Sequence, residues 1–113
     1  MKKIEAIIPE DKLGVVFDAL LKLDLGGFTY SRVSGRGKRP RPMVPSGRSG
    51  RFESAYNVNV DIFVVVPDDK VNQVIDAIAD NASTGLSGEG KIFVSNIEDS
   101  VDIGTKKHGS SSL

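Results

Sequence analysis

The chain repeats itself, and that constrains its fold more than any single motif does. Residues 4–20, IEAIIPEDKLGVVFDAL, align without a gap to residues 62–78, IFVVVPDDKVNQVIDAI, at an offset of 58. Seven of the 17 pairs are identical: Ile4/Ile62, Pro9/Pro67, Asp11/Asp69, Lys12/Lys70, Val16/Val74, Asp18/Asp76 and Ala19/Ala77. A chain of 113 residues holds one core, so the repeat is one supersecondary unit used twice within a single domain.

Each copy opens on a short apolar run, Ile4 to Ile8 and Ile62 to Val66, whose β-branched content predicts a strand. Pro9 and Pro67 end those strands because proline cannot donate to a ladder. Glu10-Asp11 and Asp68-Asp69 then suit a helix N-terminus, where carboxylates cap free N–H groups. Leu13, Val16, Phe17, Leu20 and Leu21 give the first helix an apolar stripe, and Val71, Val74, Ile75, Ile78 and Ala79 repeat the spacing. Gly26-Gly27 and Asn81 are the expected stops. Second strands are expected at about 28–34 and 91–97, which makes the order βαβ-βαβ. Two such units predict an α+β, ferredoxin-like domain: a four-stranded antiparallel sheet with both helices on one face. A short C-terminal strand is expected at 101–103, before a Ser-rich tail, 108–113, expected to be disordered.

The copies differ in two insertions. Gly35 to about Tyr56 is rich in Gly, Pro, Ser and Arg, with no sustained periodicity, and Pro40, Pro42 and Pro45 favour an extended, reaching loop. The chain's formal net charge of zero conceals this segment's chemistry. Arg32, Arg36, Lys38, Arg39, Arg41, Arg48 and Arg51 fall between residues 32 and 52 with no acid among them, so that segment is +7 and the remainder is −7. Such a division calls for an anionic partner. The second insertion, Thr84 to Lys91, precedes the last strand of the second copy.

Both insertions carry a Gly-x-Gly-Lys element at a strand edge: Gly35-Arg36-Gly37-Lys38 and Gly88-Glu89-Gly90-Lys91. Glycines let backbone N–H groups approach a phosphate while Lys or Arg supplies charge. Each element alone also reads as an ordinary flexible connection with solvated charge, and neither has P-loop spacing. Together they suggest a converging anion site, within one chain or across a subunit boundary. The basic loop suits nucleic acid as well, although its one aromatic, Phe52, makes a poor stacking platform and no RNP-like run surrounds Phe63 or Phe93. No cysteine is present and the one histidine, His108, lies near the tail, so thiolate chemistry is excluded and a His-based metal or triad site is not expected. Nothing pairs two acids in one pocket, so no catalytic residue, metal site or cofactor is assigned. No apolar run approaches the length of a membrane span, and Glu5 interrupts the N-terminus too early for a secretion signal, which predicts a cytoplasmic protein.

These residues resemble the P-II family of nitrogen-regulatory signal-transduction proteins over most of the chain. The resemblance rests on the opening MKKIEAII, on Val65-Val66-Pro67-Asp68-Asp69, and above all on Thr84-Gly85-x-x-Gly88-Glu89-Gly90-Lys91-Ile92-Phe93-Val94. It implies a single domain over 1–107, a mobile T-loop at about 36–56 and a B-loop at 84–91. It implies a homotrimer whose inter-subunit clefts bind an adenine nucleotide, and whose T-loop controls a partner transporter or enzyme, sometimes at the membrane. It implies a regulator, not an enzyme. Carried over, the nucleotide residues are Thr29, Gly35, Arg36, Gly37 and Lys38, with Val65 lining the cleft and Gly88, Glu89, Gly90 and Lys91 opposite. Where the family offers two C-terminal arginines to ATP, this chain has Asp102 and Gly104, so ADP or AMP is favoured over ATP. The Gln and Lys of the family's 2-oxoglutarate response are Arg39 and Asn59, and Arg39 becomes a candidate for a small anion such as bicarbonate. Phe52 stands near the uridylylated tyrosine and has no hydroxyl to modify. By the same comparison nucleic acid becomes the alternative ligand of the basic loop.

Overall fold

Alternation along β1, Lys2–Pro9, commits the sheet to one covered face: Ile4, Ala6 and Ile8 are buried while Lys3, Glu5 and Ile7 stay on the other side. The computed structural model describes residues 1–47, 50–86 and 88–113; Arg48 of the cationic segment and Ser87 of the second insertion lie outside the described residues. The further elements are α1 (Leu13–Leu21), β2 (Thr29–Gly35), β3 (Met43–Ser46), β4 (Gly50–Glu53), β5 (Asn57–Val66), α2 (Val71–Ala82) and β6 (Lys91–Asn96). The main sheet has the order β2-β5-β1-β6, with antiparallel neighbours throughout. This is the expected ferredoxin-like α+β fold.

Val60, Ile62, Val64 and Val66 of β5 join the buried residues of β1, and Val16, Leu20, Val74 and Ile78 close the core from the helices. Each fully buried Val or Ile contributes about 1.5–3 kcal/mol of transfer free energy, so the repeated stripes hold both helices on this face. Leu21, read as part of the first stripe, is instead 62% exposed at the last position of α1, although Leu20 beside it is buried in the core.

Several local expectations are corrected. The paired acids cap neither helix with a side chain; Glu10–Lys12 and Asp68–Lys70 form 3-10 turns that lead into α1 and α2. Asp68 meets the Met1 amino group at 3.0 Å instead. Asn81 does not stop α2: its Nδ2 donates back to Ala77 O at 2.7 Å, and the helix continues to Ala82. Nor do Gly26-Gly27 end α1, which finishes at Leu21. Gly26 serves close packing, since a Cβ there would lie 2.9 Å from the carbonyl carbon of Leu113. The third strand of the sheet starts at Asn57, five residues before the expected run, and pairs with β2 from Gly35↔Asn57 to Thr29↔Phe63.

The long insertion is not merely extended. β3 and β4 pair as a hairpin, with Val44 opposite Phe52 and Met43 opposite Glu53. It stretches the molecule to 59 Å against 29 and 22 Å in the other directions. Its root is fastened by Ser54 N donating to Pro42 O at 2.8 Å and by Arg41 paired with Glu53 at 2.9 Å.

At the C-terminus the expected strand at 101–103 reduces to one bridge, Val101↔His108. Asp102 is the reason: its carboxylate accepts from Thr105 N at 2.7 Å and Thr105 Oγ1 at 3.0 Å, bending the chain into a turn. The tail, expected to be disordered, is held as well. Asp99 takes His108 Nδ1 at 2.7 Å, Gly109–Ser112 forms a 3-10 turn, and Ser112 Oγ donates to Ser100 O at 3.0 Å.

Candidate functional site

The two Gly-x-Gly-Lys elements meet in one chain. Gly35 ends β2 and Lys91 begins β6; β5 and β1 lie between them and bring both elements to the same end of the sheet. The groove between them has a volume of about 560 Å³ and is walled by Gly35–Arg39 on one side and Gly88–Lys91 on the other. Ile7 and Phe93 supply apolar surface, and Asn57 and Asn59 complete the lining.

Glycine is required at two of these positions. Gly88 has φ +83, and a Cβ there would sit 3.1 Å from Arg39 N. Gly90 has φ +146, and a Cβ would come within 2.3 Å of Ile7 O. The loop therefore rests on the backbone of β1 and of residue 39 with no room for a side chain between.

Glu89 does not face the groove as a free charge. Its carboxylate accepts from Thr84 N at 2.7 Å, from Leu86 N at 3.0 Å and from the Thr84 hydroxyl. The backbone N–H of Thr84 is the main cause that holds this carboxyl below the usual range. Bracing by an ionised Glu89 is present above the ordinary carboxylate pKa and is lost as pH falls through the lowered value. We therefore expect the Thr84 and Leu86 amide resonances to titrate together below the ordinary carboxylate range in NMR spectra. In Glu89→Ala they should show no such transition; amides of the variant that still titrate there would refute the bracing role.

On the other wall, Asn57 is 3% exposed and its Nδ2 donates to Arg39 O at 3.3 Å, which ties the loop root to β5. Asn57 Oδ1 is buried with no partner among the described residues. Sequence reasoning missed Asn57 and Ile7, and took Phe93 as a possible base-stacking residue and a member of the family motif but not as a wall of the groove. The register Gly35↔Asn57 could have flagged the first, because it fixes which residue faces the loop root.

The charges are unbalanced. Arg32 is engaged by Glu10 at 2.9 Å and Arg41 by Glu53, whereas Arg36, Lys38, Arg39 and Lys91 have no ion pair among the described residues. Four cations and several glycine amides thus converge on one groove, an arrangement that attracts a phosphate or carboxylate. Beyond the groove, the hairpin exposes Met43 and Phe52 and the chain just past it exposes Tyr56.

Two residues of the expected set lie elsewhere. Thr29 is opposite Phe63 and Val65 is opposite Lys3, at the far end of the sheet. Six strand positions separate Thr29 from Gly35, about 20 Å at ~3.4 Å per residue. Val65 lines a different cavity of 190 Å³, with Leu25, Gly26 and Leu113. One small ligand in the groove of a chain cannot also touch Thr29 and Val65 of that chain. At the C-terminal turn, Asp102 faces Thr105, whose backbone N–H chiefly holds its carboxyl below the usual range, while Lys106 (φ 61) and Lys107 are exposed.

These elements make a duplicated ferredoxin-like domain with a projecting basic hairpin and a glycine-walled cationic groove. Comparison with known proteins gives the family. The family model described as "Nitrogen regulatory protein P-II" matches residues 1–107. Proteins of that name from Porphyra purpurea (40% identical, covering all of both chains) and Bradyrhizobium diazoefficiens (42%, covering 96% of each) are similar along their whole length. So is "Nitrogen regulatory protein P-II 1" of Methanothermobacter thermautotrophicus, 38% identical over 96% of this chain and 94% of its own. The chain belongs to the P-II family and, as a member, is a signal-transduction regulator that works on partner proteins. Among the described residues, no helix is long and apolar enough to cross a membrane.

Proposed function

We propose that the protein binds an adenine nucleotide in clefts shared between copies of a homotrimer, and that the bound state sets the conformation of the hairpin that engages a partner transporter or enzyme. The observation that carries this reading is the convergence on one groove of Gly35–Arg39 and Gly88–Lys91, with four cations that have no ion pair among the described residues. Lys91 and the amides around Gly88 and Gly90 hold the phosphates, and Ile7 and Phe93 offer an apolar surface to the base. Thr29 and Val65 of a neighbouring copy complete the cleft, which accounts for their distance from the groove of their own chain. ADP or AMP is preferred to ATP, because the C-terminal turn offers Asp102 and Gly104 where arginines would meet a third phosphate. Arg39, at the loop root beside Asn57 and Asn59, takes a small anion such as bicarbonate, which would place the protein in carbon or nitrogen metabolism.

The ligand acts by differential affinity: it stabilises the loop-root conformation that it contacts and shifts the hairpin between states. The protein works in the cytoplasm, and at the membrane when its partner is a transporter. No residue set in the groove provides a paired nucleophile and base, so the role proposed is binding without catalysis and without a cofactor.

Calorimetric titration of the full chain with ADP, AMP and ATP, each with and without bicarbonate, tests the reading. We expect saturable heat with ADP or AMP and a weaker response to ATP. No heat with any adenine nucleotide would refute it, and RNA binding with a steep salt slope would favour the nucleic-acid alternative.

A further inference from the structure

The uncovered face of the sheet holds two acids side by side. Glu5 on β1 and Asp61 on β5 lie on this face, because Ile4, Ala6, Val60 and Ile62 beside them are buried against the helices. Glu5 is opposite Phe63 and Asp61 is opposite Ile7, so the two acids are diagonal neighbours on adjacent strands. Asp61 Oδ1 is shielded from solvent and has no hydrogen-bond donor among the described residues. A proton shared with the Glu5 carboxyl would supply that donor. In agreement, the hydrogen bond to Asp61 is the main cause that pushes the Glu5 carboxyl above its usual range, followed by burial and the Asp61 charge.

The other groups facing the pair do not neutralise it fully. Lys3 Nζ lies 3.9 Å from Glu5 Oε1 and 4.6 Å from the Phe63 ring centre. On β6, Phe93 is opposite Glu5 and Lys91 is opposite Ile7; on β2, uncharged Ser31 is opposite Asp61. This side of the sheet therefore mixes apolar surface (Ile7, Phe63, Phe93) with charges of both signs, which makes it complementary to itself. Thr29 and Val65 share it.

We propose that the Glu5–Asp61 pair makes the assembly of copies through this face proton-dependent: tight while the pair shares one proton, loosened when both carboxyls are ionised. The inference rests on the reading that the ligand cleft is shared between copies, since it takes the second copy as the occupant of the face. Docking removes the remaining water from the pair, which raises the cost of the second negative charge. Assembly therefore takes up protons. It weakens as pH rises past the elevated Glu5 value of the free chain and levels off above the still higher value in the assembly.

The test is analytical ultracentrifugation of the full chain and of Asp61→Asn over a dilution series between about pH 5 and about pH 8, with ADP calorimetry at each end. A one-unit change in pKa on assembly is a factor of about ten in affinity per copy, so native self-association should weaken at least tenfold across the range. Asp61→Asn should associate equally at both ends and more tightly than the native chain at the upper one. Circular dichroism checks its fold, and Glu5→Gln gives the same test from the other partner. Native assembly that does not change with pH, or a variant that keeps the native slope, would overturn the proton dependence while leaving the shared cleft intact if ADP still binds. A native chain that stays monomeric at every pH would overturn both.

Discussion

Gly90→Ala will detach the second glycine loop from the sheet. The variant must find space for a methyl group 2.3 Å from Ile7 O at a φ of +146 that L-residues rarely adopt. Ile7 cannot yield, because it is paired with Asp61 on one side and with Lys91 on the other. The loop must lift instead, and Gly88, in close approach to Arg39, lifts with it. Backbone strain and overpacking each cost about 1–3 kcal/mol, so a loss of about 3 kcal/mol or more is expected, a large part of a typical domain's stability. Urea unfolding would show the lowered midpoint, and nucleotide binding should fall below detection because the groove loses a wall. Gly37→Ala is the control: a Cβ there meets nothing within 4 Å, so its unfolding free energy should change by about 0.5 kcal/mol or less and its midpoint stay near native. Equal midpoints for the two variants would refute the requirement for glycine at 90.

That contrast shows what a sequence makes legible. The repeat identified both strand–helix units, because periods of two and of 3.6 leave the same apolar positions buried in each copy. It also placed both glycine elements at strand edges. The repeat did not show that Gly37 is free while Gly90 is confined; that depends on which backbone lies opposite, a fact of tertiary register. Glu89 illustrates the same limit. As a residue type beside glycines it reads as part of a phosphate site, yet its carboxylate is turned inward by the Thr84 and Leu86 N–H groups. Asn57, five residues before the apolar run that marks the strand in the sequence, begins β5 and fastens the loop root. The basic insertion has proline-broken periodicity, so a four-residue hairpin ladder, Met43↔Glu53 to Ser46↔Gly50, leaves too short a trace to be read. In the C-terminal segment, Val101-Asp102-Ile103 alternates like a strand, but the Asp102 carboxylate bonds Thr105 and local side-chain bonding of this kind competes with a ladder.

Charge reversal at the groove separates the cations that serve the ligand from those that serve the hairpin. Lys91 follows Gly90 directly, begins β6 and has no ion pair among the described residues, so its ammonium is available to a phosphate. Losing a charged hydrogen bond costs about 1.5–3 kcal/mol, and a carboxylate in its place adds repulsion. Lys91→Glu should therefore weaken ADP binding by roughly 100-fold or more. Its side chain is exposed, so the melting temperature should stay close to native, which distinguishes a lost contact from a lost fold. Arg51 sits on β4 of the hairpin, equally exposed and equally cationic, but does not line the groove. Arg51→Glu makes the same change in net charge, so an ADP affinity within about twofold of native would show that position and not total charge governs binding. If both reversals weakened ADP equally, the groove would be no more than a region of positive potential. If Lys91→Glu alone does so, the groove's cations read a small anion and those of the hairpin are left free for an acidic surface on the partner.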